Sequence, residues 1–141
     1  MTTLGIRLLG RPEVQRDGVI AAPPRGHKAW AVLAYVVLAE HQVARAPLAG
    51  LIFGEADDPL RALRWGLTQL RRTLGVADAL RGDPLELGLP EGTVVDVLAL
   101  ASGDADPGLA RGELLEGVDP GAGAVFDAWP LVERRRLAGL C

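Results

Sequence analysis

The 141-residue sequence predicts an α+β fold, and three observations carry that reading. Its opening stretch alternates apolar and polar residues at the period of two that a half-buried strand requires. Three segments with apolar residues at helical spacing follow. A Gly-Asp-Pro turn then separates two short apolar runs, the pattern of a hairpin. With 49% hydrophobic residues the chain can bury a real core, built from aliphatic side chains because aromatics are only 4%.

Leu4, Ile6 and Leu8 alternate with Gly5 and Arg7 as a first strand. Val14-Gln15 lies in a second, Asp17-Gly18 is a hairpin turn, and Val19-Ile20 begins a third. Pro23-Pro24 ends this sheet. A helix is predicted over about 25–40, with Trp30, Leu33, Val36 and Val37 on it. It is apolar nearly all round, so it should be the central, buried helix. Arg25, His27 and Lys28 before this apolar run, and Ala44-Arg45-Ala46 after it, imitate a signal peptide. A signal peptide should open the chain, however, and the run is too short to cross a bilayer.

The second helix should cover about 46–53, with Pro47 in its first turn and Leu48, Leu51 and Ile52 facing inward. Gly54 stops it, and Glu55-Ala56-Asp57-Asp58 makes an acidic connection. The third helix is the best delimited. Asp58 can cap it, Pro59 suits its first position and Gly75 lies just past its end. It should be roughly 24 Å long at 1.5 Å per residue. Leu80-Arg81, the turn at 82–84 and Leu85-Glu86-Leu87 form the hairpin, and Val94 to Val97 returns toward the sheet. A small N-terminal antiparallel sheet, three helices and a C-terminal hairpin wing together make a winged helix-turn-helix, predicted for residues 1–95. Residues 96–141 read as a short all-α segment rich in Gly and Asp, with helical pieces near 97–102, 107–116 and 125–139.

Charge divides the chain in the same way. Residues 1–75 carry ten Arg/Lys against six Asp/Glu, whereas residues 76–141 carry five against twelve. The net values of +4 and -7 suggest two functional parts, the first of them facing an anion. The chemistry is concentrated on the third helix. At 100° per residue, Leu63, Leu67, Leu70 and Leu74 fall in one stripe that should meet the core. The opposite side carries Arg61, Trp65, Thr68, Gln69 and Arg72, flanked by Arg64 and Arg71, and has no acid. Surface helices usually mix charge signs, while an acid-free face suits a groove walled by phosphates. Arginine can grip guanine or a phosphate with two parallel bonds, and Gln and Thr can read base edges. Arg81 in the hairpin, and Arg25 and Lys28 at the start of the first helix, complete the candidate DNA-binding set.

The segments PRGHKAWAVLAYVVL, PLAGLIFGEADDPLRALRWGLTQLRRTLG, LRGDPLELGLPEGTVVDV and GELLEGVDPGAGAVFDAWPLVERRRL follow one another along the chain. Together they closely resemble the N-terminal part of the Streptomyces antibiotic regulatory protein (SARP) family, over about residues 4–139. That resemblance implies a response-regulator-type winged helix-turn-helix followed by the opening helices of a bacterial transcriptional activator domain. It also implies an activator that binds double-stranded DNA and recruits RNA polymerase. The acidic connection, with Glu55, Asp57 and Asp58, would be the polymerase contact. The sequence departs from the family where Ala62 replaces a frequent Asn and His27 replaces an arginine, so no target sequence can be transferred. On that resemblance the sequence should hold only two or three helices of the second domain, as a fragment or a short relative would, and Leu114, Leu115, Phe126, Trp129 and Leu131 should fold onto the winged domain.

Other classes fit less well. The sequence has no P-loop, HExxH or GxSxG, and Ser102 is its only serine, so no enzyme is expected. His27 and His41 are 14 positions apart, which matches no metal-ligand spacing, and the sole cysteine is Cys141, so neither a metal site nor a cofactor is expected. The cysteine usage reads as cytoplasmic, without a membrane partner. A homodimer on repeated half-sites is one assembly that the DNA-binding reading allows. The competing reading is a winged-helix protein interaction module without DNA binding, which the acidic second part favours because it would repel a duplex beside it.

Overall fold

A computed structural model describes residues 3–39 and 42–101. Strands β1 (Leu4–Arg7), β2 (Glu13–Arg16) and β3 (Val19–Ile20) pair antiparallel in succession. Ile6 lies opposite Val14, and Leu4, Ile6 and Val14 all point into the core, as the period-two pattern requires. The opposite face carries the Arg7–Glu13 ion pair at 3.3 Å. Strand β4 (Val94–Val95) adds to the other side of β1, which gives the order β3-β2-β1-β4.

The last strand runs parallel to β1 and so adds a parallel edge to the antiparallel N-terminal sheet of β1 to β3. It corrects one expectation: the return is shorter than Val94 to Val97, because helix α4 (Asp96–Ala101) begins immediately after Val95. The cause lies in Asp96, which is buried. Its two carboxylate oxygens accept from the backbone N–H of Leu8 and Leu9 at 2.9–3.1 Å and from that of Val97 at 2.7 Å. The side chain thus ends the strand, starts the helix and ties both to the chain leaving β1. Val97 is fully buried in the same core as β1, so packing continues past residue 95.

Three helices pack on one another beside the buried face of the sheet, the third of them against β2. Helix α1 (His27–Leu38) is buried at eight positions, Ala29 to Ala34, Val37 and Leu38, which fits its apolar circumference. Helix α2 (Arg45–Phe53) buries Leu48, Ala49, Ile52 and Phe53. Leu51, expected on the inner stripe, is only half-buried at the core's edge, because the 48–49–52–53 stripe faces inward instead. Helix α3 (Pro59–Leu74) matches the sequence reading at both ends. Asp58 Oδ1 accepts from the Arg61 N–H at 3.1 Å, and Gly75 donates to Arg71 O at 2.8 Å from a left-handed φ of 70°. A side chain at 75 would be strained and would also run into Arg16, which lies over this glycine.

Trp30, Leu33, Val37, Leu63, Leu67 and Leu70 share one core cluster, so the phase of α3 is the expected one. Each fully buried leucine contributes about 1.5–3 kcal/mol through removal from water. The hairpin is present but minimal. Arg81 and Glu86 form one bridge, Leu80 donates to Leu87 O at 3.2 Å, and Leu85 donates to Val43 O at 2.8 Å. The last bond fastens the hairpin to the α1–α2 connection, and its turn holds a cis Asp83–Pro84 peptide. These elements make an α+β winged helix-turn-helix. The helical pieces predicted near 107–116 and 125–139, with Leu114, Leu115, Phe126, Trp129 and Leu131, lie outside the described residues, as do Glu40 and His41. Among the described residues no helix is long and apolar enough to cross a membrane.

Candidate nucleic-acid interface

Helix α3 separates its side chains sharply. Leu63, Gly66, Leu67, Leu70, Thr73 and Leu74 are buried, while Arg61, Arg64, Trp65, Thr68 and Arg72 are exposed. No residue from 59 to 74 is acidic, so the exposed cations have no partner of opposite sign on their own helix. Arg61, Thr68 and Arg72 lie opposite the leucine stripe, and Arg64 lies to one side. Trp65 is 52% exposed, a costly position for an indole that meets only solvent. Thr68 Oγ1 donates to Arg64 O at 3.0 Å, which fixes its rotamer and leaves the oxygen free to accept. Gln69 is half-buried at the margin of the face.

The predicted residues do not all join this surface. Arg71, expected beside a phosphate wall, is half-buried and turned into the molecule. Its Nε donates to Ala79 O at 2.9 Å and its Nη2 to Leu80 O at 2.7 Å, so it braces the hairpin against α3. The physical reason is that residues 76–80 pass over the end of α3 with carbonyls that need donors. Lys28 is half-buried with Nζ 5.5 Å from the centroid of the Phe53 ring, a cation–π contact that joins α1 to α2. Arg25 is exposed ahead of α1. Arg81 is exposed on the hairpin, its Nε donating to Ala77 O at 2.8 Å.

In the α2–α3 connection Glu55, Asp57 and Asp58 are all exposed, and Asp58 also serves as the cap of α3. An open cleft of about 460 Å³ lies between this loop and the helix, lined by Phe53, Asp57, Asp58, Arg61, Ala62 and Trp65. The small Ala62 side chain keeps the cleft open beside the indole.

Two polar residues escaped the sequence reading. Asp96 carries its signal in plain view, a capping-type residue between two valines of a strand and an apolar helical run. Arg45 is the second. It occupies the first position of α2, where the helix dipole disfavours a cation, and that misplacement was the signal. Its backbone N–H donates to Asp83 Oδ1 at 3.0 Å and its Nε to Gly82 O at 2.7 Å, so it meets the hairpin turn twice.

No protein-family model matches the sequence, and no curated protein matches it. Among solved structures, the chain is similar to Mycobacterium tuberculosis EmbR, determined in complex with a low-affinity phosphopeptide. The TM-score is 0.68 at 20% identity, over 99% of this chain and 44% of that one. The two share a fold, and this chain spans less than half of EmbR's length.

Proposed function

We propose that this protein is a transcription regulator of the SARP type that binds double-stranded DNA, with α3 in the major groove. The observation that carries this reading is the exposed face of α3: Arg61, Arg64, Trp65, Thr68 and Arg72, with no acid from 59 to 74, set opposite four fully buried leucines. A helix about 10–12 Å across fills a major groove about 12 Å wide. Arg61, Thr68 and Arg72 then face the base edges, with Trp65 and Gln69 beside them, and Arg64 faces the phosphate wall. Arg81 extends the contact from the hairpin, and Arg25 lies at the periphery. Arg71 and Lys28 hold the scaffold and belong to the interface only indirectly. Selection of bound duplexes from a random pool tests this reading, because it yields sequence preference and half-site spacing together. Two copies on direct or inverted half-sites would show a spacing of about 10–10.5 base pairs or a multiple of it. Recovery of no enriched sequence would contradict it.

Activation is assigned to the α2–α3 loop. Glu55, Asp57 and Asp58 form an exposed acidic edge, a suitable mate for a basic surface of RNA polymerase and a poor neighbour for DNA phosphates. The triple variant Glu55→Gln, Asp57→Asn, Asp58→Asn removes the charge and keeps a capping side chain at 58. Transcription in a purified polymerase assay should fall several-fold, with duplex affinity unchanged or improved. Loss of duplex affinity in this variant would make the loop a structural element only.

One observation favours a second reading, a peptide-binding module. The exposed Trp65 stands beside an apolar cleft rimmed by Asp57 and Asp58, which would accept a basic, apolar peptide. Under that reading the chain binds no duplex even at low salt.

A further inference from the structure

The hairpin gathers three arginines from three elements. Arg45 reaches it from α2, Arg71 from α3, and Arg81 belongs to it. Each donates to a carbonyl in one short stretch: Arg45 to Gly82, Arg71 to Ala79 and Leu80, and Arg81 to Ala77. The manner of attachment differs between them. Arg71 is held through Nε and Nη2 together, and it is half-buried. Arg45 and Arg81 are held through Nε alone, which orients each guanidinium and leaves both terminal nitrogens without a hydrogen-bond partner among the described residues.

None of the three is in an ion pair with a described residue. Asp83, the acid nearest by bonding, accepts from the backbone N–H of Arg45, and Asp78 and Glu86 pair with none of them. Burial first, and then the charges of Arg81 and Arg45, pull Arg71 below the ordinary arginine range, as expected of like charges held together. Arg45 adds to the crowding, because it stands in the first turn of α2, where the dipole is positive. Two of these three pinned cations, Arg45 and Arg81, keep their terminal nitrogens unengaged among the described residues, which makes the cluster a host for a strongly charged oxyanion, and the guanidinium fork matches the oxygens of a phosphate.

We infer that Arg45 and Arg81, braced by Arg71, form a phosphate seat at the junction of α2, α3 and the hairpin. The seat takes one backbone phosphodiester of bound DNA. This rests on the DNA-binding reading, since the seat lies beside the C-terminal end of α3, where a helix filling the major groove meets a groove wall. Its contribution is to position and not to specify, because a phosphate carries no sequence information. The hairpin carbonyls replace the solvent that would otherwise let Arg45 and Arg81 swing, so both side chains are oriented before the duplex arrives.

Scanning a selected duplex with neutral methylphosphonates, one phosphate at a time, tests the seat. With the wild-type protein, one position should cost about fivefold to tenfold in affinity as the seat loses its anion. Arg45→Gln should bind the unmodified duplex weaker by a similar factor, with a salt slope lower by about one. It should be indifferent to the methylphosphonate at that position and remain sensitive at the others. Arg81→Gln severs a different hairpin bond and should become indifferent at the same phosphate, which a general loosening of the hairpin would not produce. Arg45→Lys should recover part of the affinity through its charge. If Arg45→Gln kept wild-type affinity and salt slope, or if the two variants lost sensitivity at unrelated phosphates, the seat would be overturned with the DNA-binding reading intact. A wild-type protein that bound no duplex would overturn both.

Discussion

Asp96→Ala should lower the stability of the winged domain by about 2–4 kcal/mol, since it leaves the buried N–H groups of Leu8 and Leu9 without an acceptor. The loss is large because one side chain joins three places in the fold: the end of β1, the end of β4 and the start of α4. Asp96→Asn retains one acceptor oxygen but turns an NH2 group toward another donor, so its loss should be smaller. The carboxyl also confers a pH dependence with a definite sign. Burial pushes it above the ordinary aspartate range, against the pull of the Leu8, Leu9 and Val97 N–H groups and of Arg7. The folded state therefore binds the proton more tightly than the unfolded one. Stability from this group is greatest below the ordinary aspartate pKa and is lost as pH rises through the raised one. Urea denaturation from about pH 4 to about pH 7 should show that decline in the wild type and not in Asp96→Asn. A decline equally steep in both proteins would place the effect elsewhere.

The second large effect concerns base reading. Arg61→Ala or Arg72→Ala should cost about 1–3 kcal/mol on the best duplex if the contact is bidentate, and much less on a scrambled one, so sequence preference relaxes. Both side chains are exposed opposite the buried leucines, and their removal leaves the core untouched. For Arg61 the cap is also kept, because Asp58 accepts from the backbone N–H of residue 61 and not from its side chain. Arg64→Ala should instead weaken both duplexes alike and reduce the salt slope by about one. Arg71→Ala belongs to neither group: its effect should appear as a looser hairpin. Equal behaviour of Arg61, Arg64 and Arg72 variants on the two duplexes would defeat the division of roles.

What could be read from the sequence was local or periodic. The limits of α3 followed from Asp58, Pro59 and Gly75, and its phase from leucines spaced three and four apart. The strands β1 to β3 followed from alternation and the Asp17-Gly18 turn. Long-range contacts were harder to foresee. Nothing in the spacing of Arg71 shows that residues 79 and 80 fold back to offer it two carbonyls, so its sequence position alone made it a surface cation. The parallel pairing of β4 likewise depends on where the chain stands after three helices. The burial of Leu51 is not legible in the sequence because α2 is short and either of two stripes can be drawn through it; burial of Phe53, with Lys28 over its ring, turns the 48–49–52–53 stripe inward.

Fluorescence anisotropy of a labelled random duplex, titrated at several salt concentrations, tests whether the outer face of α3 binds DNA. Binding should be present at low salt and weaken steeply as salt rises, with a slope near 0.9 per phosphate neutralised. Most of that binding should be lost in an Arg61→Ala, Arg64→Ala, Arg72→Ala variant whose thermal unfolding matches the wild type. A wild-type protein that fails to bind at low salt, or a folded triple variant that binds as well as the wild type, would contradict DNA binding by this face.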